Sequence, residues 1–180
     1  MRAFVGFLVP EKIKNDVVNL QSALEKLPMT CKMVESDNIH VCLSFLGDVE
    51  ESEVKEIQSS LSKICNIRPR FEVGIGNIRL IPNEKYIRVI VLEVLDTSGA
   101  LKSISSEIKE KIGGRMSPAH ITLCRVRSVS NKKEVVSSVK DIQIKDNLKF
   151  DVNSIELIKS VINRTGPVYT IVHEAKLLGV

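Results

Sequence analysis

The chain predicts a mixed fold of strands and helices, α/β or α+β, and not a helical bundle. Three observations lead there. Short β-rich runs such as Arg2–Val9 (RAFVGFLV) and Tyr86–Val94 (YIRVIVLEV) alternate with stretches whose apolar residues recur every three or four positions. Pro or Gly punctuates the boundaries, at Pro10, Pro28, Gly47, Pro82, Gly113 and Gly166. With 180 residues, 43% of them hydrophobic and 27% charged, the chain suits one globular domain or two small lobes sharing a core.

Taken in order, Arg2–Val9 is a strand that Pro10 closes. A helix is expected from Glu11 to about Leu27, with Ile13, Val17, Leu20, Leu24 and Leu27 on one face and Pro28 at its end. Lys32–Glu35 reads as a short strand, and Ile39–Leu46 (IHVCLSFL) as a longer one that stops at Gly47-Asp48. Val54, Ile57, Leu61 and Ile64 mark a helix over Glu51–Ile64. Phe71–Ile75 and Ile78–Ile81 are two strands, Pro82-Asn83 a turn, and Tyr86–Val94 a strand. Thr97 or Ser98 can cap a helix through Ile112, which Gly113-Gly114 stops. Ala119–Arg127 (AHITLCRVR) is a strand and Asn131–Ile142 a helix. Phe150–Val152, Ile155–Val161 and Val168–Leu177 complete the chain as strands, with a turn at Gly166-Pro167.

Composition excludes several classes. No apolar run approaches the roughly 20 residues of a membrane span. Met1–Pro10 is too short for a signal peptide, and the four cysteines, Cys31, Cys42, Cys65 and Cys124, form no CxxC pair, so reduced thiols in a cytoplasmic protein are expected. There is no GxxxxGK[ST] loop, and Gly74-Ile75-Gly76 lacks the third glycine of a dinucleotide loop. No cofactor or metal is expected. The net charge of +4 suits an anionic substrate without demanding one. Lys132, Lys133, Lys140, Lys145 and Lys149 read either as a solvated face or as a basic RNA-facing patch.

The two halves repeat when aligned on their histidines. His40 opens HVCLSFLG and His120 opens HITLCRVR. Phe71-Glu72-Val73 follows His40 after 31 residues, and Phe150-Asp151-Val152 follows His120 after 30. Ile78-Arg79-Leu80-Ile81 then matches Ile155-Glu156-Leu157-Ile158, and Tyr86 and Tyr169 lead the strands that come next. A twofold repeat suggests two related lobes, with His40 and His120 facing each other across a cleft.

On a strand, residues i and i+2 share a face, so Cys42 lies beside His40 and Thr122 beside His120. A single strand histidine is most often a solvated or satisfied residue. A pair at equivalent repeat positions, each with a small donor two residues on, suits phosphodiester chemistry without metal. Imidazole titrates near neutrality, so one ring can serve as base while the other serves as acid. The hydroxyl or thiol can donate to non-bridging phosphate oxygens. His173 has Ala175 at i+2 and is expected to be structural.

These residues carry a resemblance. His40-Val41-Cys42-Leu43 and His120-Ile121-Thr122-Leu123 resemble the twin HxTx motifs of the 2H phosphoesterases. The closest likeness is to the RNA 2′,3′-cyclic phosphodiesterases, historically called 2′-5′ RNA ligases (LigT). Arg2-Ala3-Phe4-Val5 resembles the opening strand of that branch, Phe45-Leu46-Gly47 follows the first motif, Arg125 completes the second as HxTLxR, and Gly166-Pro167-Val168-Tyr169 resembles its GPxY segment.

The resemblance implies an α+β, bilobal, pseudo-twofold fold spanning residues 1–180, with two antiparallel sheets around a central cleft and helices outside. It implies hydrolysis of 2′,3′-cyclic phosphate ends, of tRNA or other RNA, to 2′-phosphomonoesters, with a weak ATP-independent 2′-5′ joining reaction. Neither direction would need a metal. His40 would be the proton donor and His120 the proton acceptor. Thr122 and Cys42 would bind phosphate oxygens, Phe45 would stack a base, and Arg125 would touch phosphate. A straight strand puts Phe45 and Arg125 on the face opposite the histidines, so a bulge or strong twist is required in both strands. A monomer is expected, because both histidines lie in one chain. Cys42 departs from the family threonine, and a thiol is the weaker donor.

Three other readings compete: a metal site from His40, Cys42, His120 and Cys124, a noncatalytic RNA-binding module, and a phosphodiesterase acting on a different cyclic phosphate.

Overall fold

The computed structural model describes residues 1–164 and 166–179. The elements run β1 (Arg2–Leu8), α1 (Glu11–Leu24), β2 (Met29–Met33), a 3₁₀ turn (Ser36–Asn38), β3 (His40–Asp48) and α2 (Glu51–Cys65). Then come β4 (Phe71–Asn83), β5 (Tyr86–Leu95), α3 (Ala100–Lys111), β6 (Arg115–Met116) and β7 (His120–Val129). The chain closes with α4 (Lys132–Asp141), β8 (Lys149–Val152), β9 (Ser154–Ile162) and β10 (Pro167–Lys176).

The fold is α+β. Its curled antiparallel sheet runs in the order β10-β9-β1-β3-β7-β5-β4-β8, with β2 added against β7 and β6 against β3. The two expected sheets are its two ends, β10-β9-β1-β3 and β7-β5-β4-β8, which meet where Val41 of β3 pairs with Ile121 of β7. The chain crosses between the two sets. β4 follows β3 in sequence but pairs with β5, and β9 follows β8, the partner of β4, but pairs with β1.

The strand order corrects one detail of the repeat. The Tyr86 and Tyr169 strands are not equivalent, because β5 lies inside the sheet while β10 lies at its edge. β5 leads through α3 to β7 as β1 leads through α1 to β3, so β5 is the counterpart of β1.

The helices cover one face of the sheet. Ile13, Val17 and Leu24 of α1, Leu61 and Ile64 of α2, Leu101, Ile104 and Ile108 of α3, and Val135 of α4 join one buried cluster with Ala3, Val5, Val41, Leu43, Ile90, Leu92, Ile121 and Leu123. The helical spacing read from the sequence is thus the buried stripe. Glu53 accepts from the Glu50 backbone N–H at 2.9 Å, and Asn131 caps α4 by accepting from Glu134 N–H at 3.2 Å.

Local departures follow from tertiary contacts. α1 ends at Leu24, three residues early, because Met29 already pairs with Val129 of β7. The strand expected at Lys32–Glu35 accordingly starts at Met29. The two strands expected at 71–75 and 78–81 are one strand, β4, which pairs with β8 over Phe71–Gly74 and with β5 from Gly74 onward. Gly76 is no break there: a Cβ on it would lie 3.0 Å from Glu93 and Leu95 side-chain carbons. α3 starts at Ala100 with Gly99 at its N-cap in the left-handed region, φ +75°, and Ser98 Oγ accepts from Ala100 N–H at 3.2 Å.

Two register shifts matter most. Between β1 and β3, Val5 pairs with Ser44 and Gly6 with Cys42, so Leu43 is an extra residue in β3. Between β5 and β7, Ile90 pairs with Cys124 and Val91 with Thr122, so Leu123 is an extra residue in β7. Each bulge lies three residues after a histidine, and each reverses the alternation beyond it. Gly6 is required at the first bulge: a Cβ there would sit 2.1 Å from the Val41 carbonyl oxygen.

Candidate active site

The face of the sheet away from the helices encloses a cavity of about 740 Å³. β3 presents His40, Cys42 and Phe45 to it, and β7 presents His120, Thr122 and Arg125. All six residues singled out by sequence therefore line one space. The bulges at Leu43 and Leu123 supply the change of face that Phe45 and Arg125 require. The antiparallel register at Val41 and Ile121 sets His40 across from Thr122 and His120 across from Cys42. Each imidazole thus has a small donor beside it and another opposite.

The two rings are oriented alike. His40 Nδ1 donates to the Asn38 carbonyl at 2.7 Å, and His120 Nδ1 donates to the Pro118 carbonyl at 2.7 Å. A carbonyl can only accept, so the neutral ring carries its proton on Nδ1 and leaves Nε2 free for the cavity. Both histidines are held by the main chain two residues back, which no side-chain motif announces.

His40 is the more confined ring. Phe4 lies 4.8 Å from it, centroid to centroid, and Tyr169 lies edge-on at 5.0 Å, with Phe4 and Tyr169 themselves 5.1 Å apart. The carbonyl that orients it belongs to a buried residue, Asn38, whose Nδ2 donates to the Pro167 carbonyl at 2.7 Å. β10 is tied in this way to the base of His40. Burial pulls the His40 pKa below its ordinary 6.5; the Asn38 hydrogen bond opposes this, while His120 and Arg125 push it lower.

Burial raises the Cys42 thiol to about 11, against a lowering influence from Arg115. Cys42 is therefore an un-ionised donor at neutral pH and not a nucleophilic thiolate. Burial likewise raises the Tyr169 hydroxyl above its ordinary value.

Sequence reasoning missed several residues of this cavity. Arg115 and Asn38 line it, as do Arg2, Phe4 and Tyr169, quoted only as parts of a resemblance. Arg2 and Phe4 share a face of β1, and Arg115 enters on β6, a two-residue strand too short for any periodic signal. β6 is held by a close approach: Ser44 Oγ donates to the Gly113 carbonyl at 2.7 Å, and a Cβ on Gly114 (φ +89°) would lie 2.3 Å from Ser44 Oγ.

Other expectations resolve outside the cavity. His173 lies outside the cavity, its Nε2 hydrogen-bonded to Ser62 Oγ at 2.7 Å. Cys124 is fully buried beside Cys31 and does not line the cavity, so the set His40, Cys42, His120 and Cys124 does not assemble. Among the described residues no three or more metal-ligating side chains converge. Three lysines of the expected patch serve their own chain: Lys132 donates to the Lys85 carbonyl at 2.6 Å, Lys140 pairs with Glu84 at 2.9 Å, and Lys149 pairs with Glu72 at 2.9 Å. No helix among the described residues is long and apolar enough to cross a membrane.

Two imidazoles, each with Nδ1 tied to a main-chain carbonyl, share one cavity with guanidinium groups, an arrangement chemically able to serve acid–base work on an anion. Comparison with known proteins gives it a lineage. The family model for LigT-like phosphoesterases matches residues 7–91. The RNA 2′,3′-cyclic phosphodiesterase of Methanocaldococcus jannaschii is 31% identical, over 97% of this chain and 99% of its own. The RNA 2′,3′-cyclic phosphodiesterase of Aquifex aeolicus is 29% identical, over 99% of this chain and 98% of its own. In fold, the chain is similar to E. coli LigT crystallised with 3′-AMP, with a TM-score of 0.80 at 21% identity over 98% of this chain and 97% of that one. The chain belongs to the LigT-like phosphoesterase family.

Proposed function

We propose that this enzyme hydrolyses RNA 2′,3′-cyclic phosphate termini to 2′-phosphomonoesters, by two-histidine acid–base chemistry that needs no metal. The observation that carries the reading is the matched pair His40 and His120, each with Nδ1 tied to a main-chain carbonyl and Nε2 left for the same cavity. The relatives named RNA 2′,3′-cyclic phosphodiesterase support the choice of substrate.

His120 is the proton acceptor and His40 the proton donor. His120 takes a proton from water as the water oxygen bonds to phosphorus. The P–O3′ bond breaks, and His40 gives its proton to the departing ribose oxygen. The product keeps its phosphate on O2′, and solvent exchange restores the pair. The more confined ring suits the donor role, since a desolvated imidazolium releases its proton readily and the bound phosphate supplies its counter-charge. Thr122 and Cys42 donate to the non-bridging oxygens, and Arg125 holds their charge. An RNA 5′-hydroxyl attacking in place of water, again with the P–O3′ bond broken and O3′ protonated by His40, gives weak 2′-5′ joining. Residues 1–180 act as one phosphoesterase domain of two related lobes, and a single chain supplies the complete site, so a monomer suffices.

The test is an RNA oligonucleotide ending in a 2′,3′-cyclic phosphate, incubated with the purified protein in excess EDTA. The expected product is the 2′-phosphate. Binding without turnover would replace this reading by a noncatalytic RNA module, and turnover only of other cyclic phosphates would replace the substrate. The proton roles are checked with a nucleoside 2′-(4-nitrophenyl) phosphate, whose 3′-hydroxyl closes the cyclic phosphate in the reverse sense: His40 takes the O3′ proton, and nitrophenolate leaves from the water side without needing a proton from His120. His120→Ala should therefore retain more activity on it, relative to wild type, than His40→Ala does; the reverse order exchanges the roles.

A further inference from the structure

The ring of Phe45 has two cationic neighbours. The Arg2 guanidinium carbon lies 5.1 Å from its centroid and that of Arg115 lies 5.7 Å away, both within cation–π range. They arrive from different elements, Arg2 from the start of β1 and Arg115 from β6, where it is the register partner of Phe45. Both side chains are exposed, both line the cavity, and neither takes part in an ion pair among the described residues. Arg68 and Arg79, by contrast, are each paired with a glutamate. A base stacking on Phe45 would compete with these guanidinium groups for the ring. Left in place, the ring holds two planar cations with their N–H edges free.

We propose that Arg2 and Arg115, mounted on Phe45, form a second anion subsite that binds the phosphodiester preceding the terminal nucleotide of an RNA substrate. The inference rests on the hydrolytic reading above and adds a substrate preference: RNA chains over mononucleotides. The chemistry is specific to this arrangement. The cyclic phosphate is served by the histidines, Thr122 and Arg125 on β3 and β7, while Arg2 and Arg115 lie beyond Cys42 along β3, at the register of Phe45 and Asp48. Guanidinium recognises a phosphate through a planar fork of N–H donors, and ring contact fixes that fork at little further entropic cost. The positive φ of Gly114 and the Ser44 hydrogen bond to the Gly113 carbonyl hold β6, and with it Arg115, against β3.

The experiment compares three substrates: adenosine 2′,3′-cyclic phosphate, the dinucleotide ApA with the same cyclic end, and that dinucleotide with an uncharged methylphosphonate link. Wild type should process ApA at least about tenfold better in kcat/KM than the mononucleotide, a charge-assisted contact being worth about that factor. The methylphosphonate should lose most of this gain. Arg2→Gln and Arg115→Gln should each shrink the ratio of ApA to mononucleotide, and the log–log salt slope for ApA should flatten by about 0.7 for each guanidinium removed from the phosphate. Equal turnover of mononucleotide and ApA by wild type would overturn the subsite, as would a methylphosphonate processed as well as ApA, or variants that keep the wild-type ratio. Failure of the hydrolytic reading looks different, because then neither natural substrate is turned over at all.

Discussion

Replacing either histidine by alanine should lower kcat on an RNA 2′,3′-cyclic phosphate by about 10²–10⁴-fold, the range that a positioned general acid or base contributes. His40→Ala and His120→Ala should each reach most of this loss, and the double variant should lose little more, because the two rings act as a unit. Thermal melting should show both single variants folded. His40 sits among Phe4 and Tyr169, so its removal also opens a small cavity, and His40→Gln separates that packing loss from the loss of a titrating group. The pH profile carries the same signature. In the free enzyme, burial holds the His40 pKa below 6.5, and the nearby His120 pushes it in the same direction. As pH falls through that lowered value the His40 ring gains its proton, so the limb of kcat/KM to which His40 contributes most should lie below pH 6.5. A bound phosphate favours the charged ring, so the same limb of kcat should lie at higher pH. Both limbs belong to the pair and not to one residue. A flat profile between about pH 5 and 8 would count against two-histidine catalysis.

The second large effect concerns the unequal donors. Thr122→Ala should cost about 10²–10³-fold in kcat, the loss typical of one oxyanion donor. Cys42→Ala should cost less, because the un-ionised thiol, with its pKa near 11, is a weak donor. Cys42→Thr should therefore raise kcat above wild type, with KM changing less. An unchanged or lower kcat for Cys42→Thr would remove this position from phosphate binding. If Thr122→Ala instead raised KM alone, Thr122 would be a ground-state contact and not a transition-state one.

Much of this was legible in the chain. The helices read out because their apolar period is local, and Ile13, Val17, Leu20 and Leu24 are the buried stripe of α1. The cavity's central residues read out because strand alternation and the repeat of His-x-Cys and His-x-Thr are both sequence properties. Even the need for a bulge in each strand followed from asking Phe45 and Arg125 to face the histidines. Which residue would bulge depended on pairing. Leu43 and Leu123 have no unusual signature, and Gly6 is meaningful only once the Val41 carbonyl lies against it. The merging of the 71–75 and 78–81 strands into β4 likewise needed partners on both sides, β8 and then β5.

The sequence by itself determined the fold class, the two histidines with their neighbouring donors, and the family resemblance, because each is written in spacing along one strand or in a repeat. Only the tertiary structure decided how those histidines are aimed, since main-chain carbonyls of Asn38 and Pro118 do it. It alone brought Tyr169 and Asn38 to His40, and Arg2 and Arg115 to Phe45, from elements distant in the chain. The physical reason is range: periodicity and propensity act over a few residues, whereas a cavity is assembled by strand pairing between segments far apart in the chain.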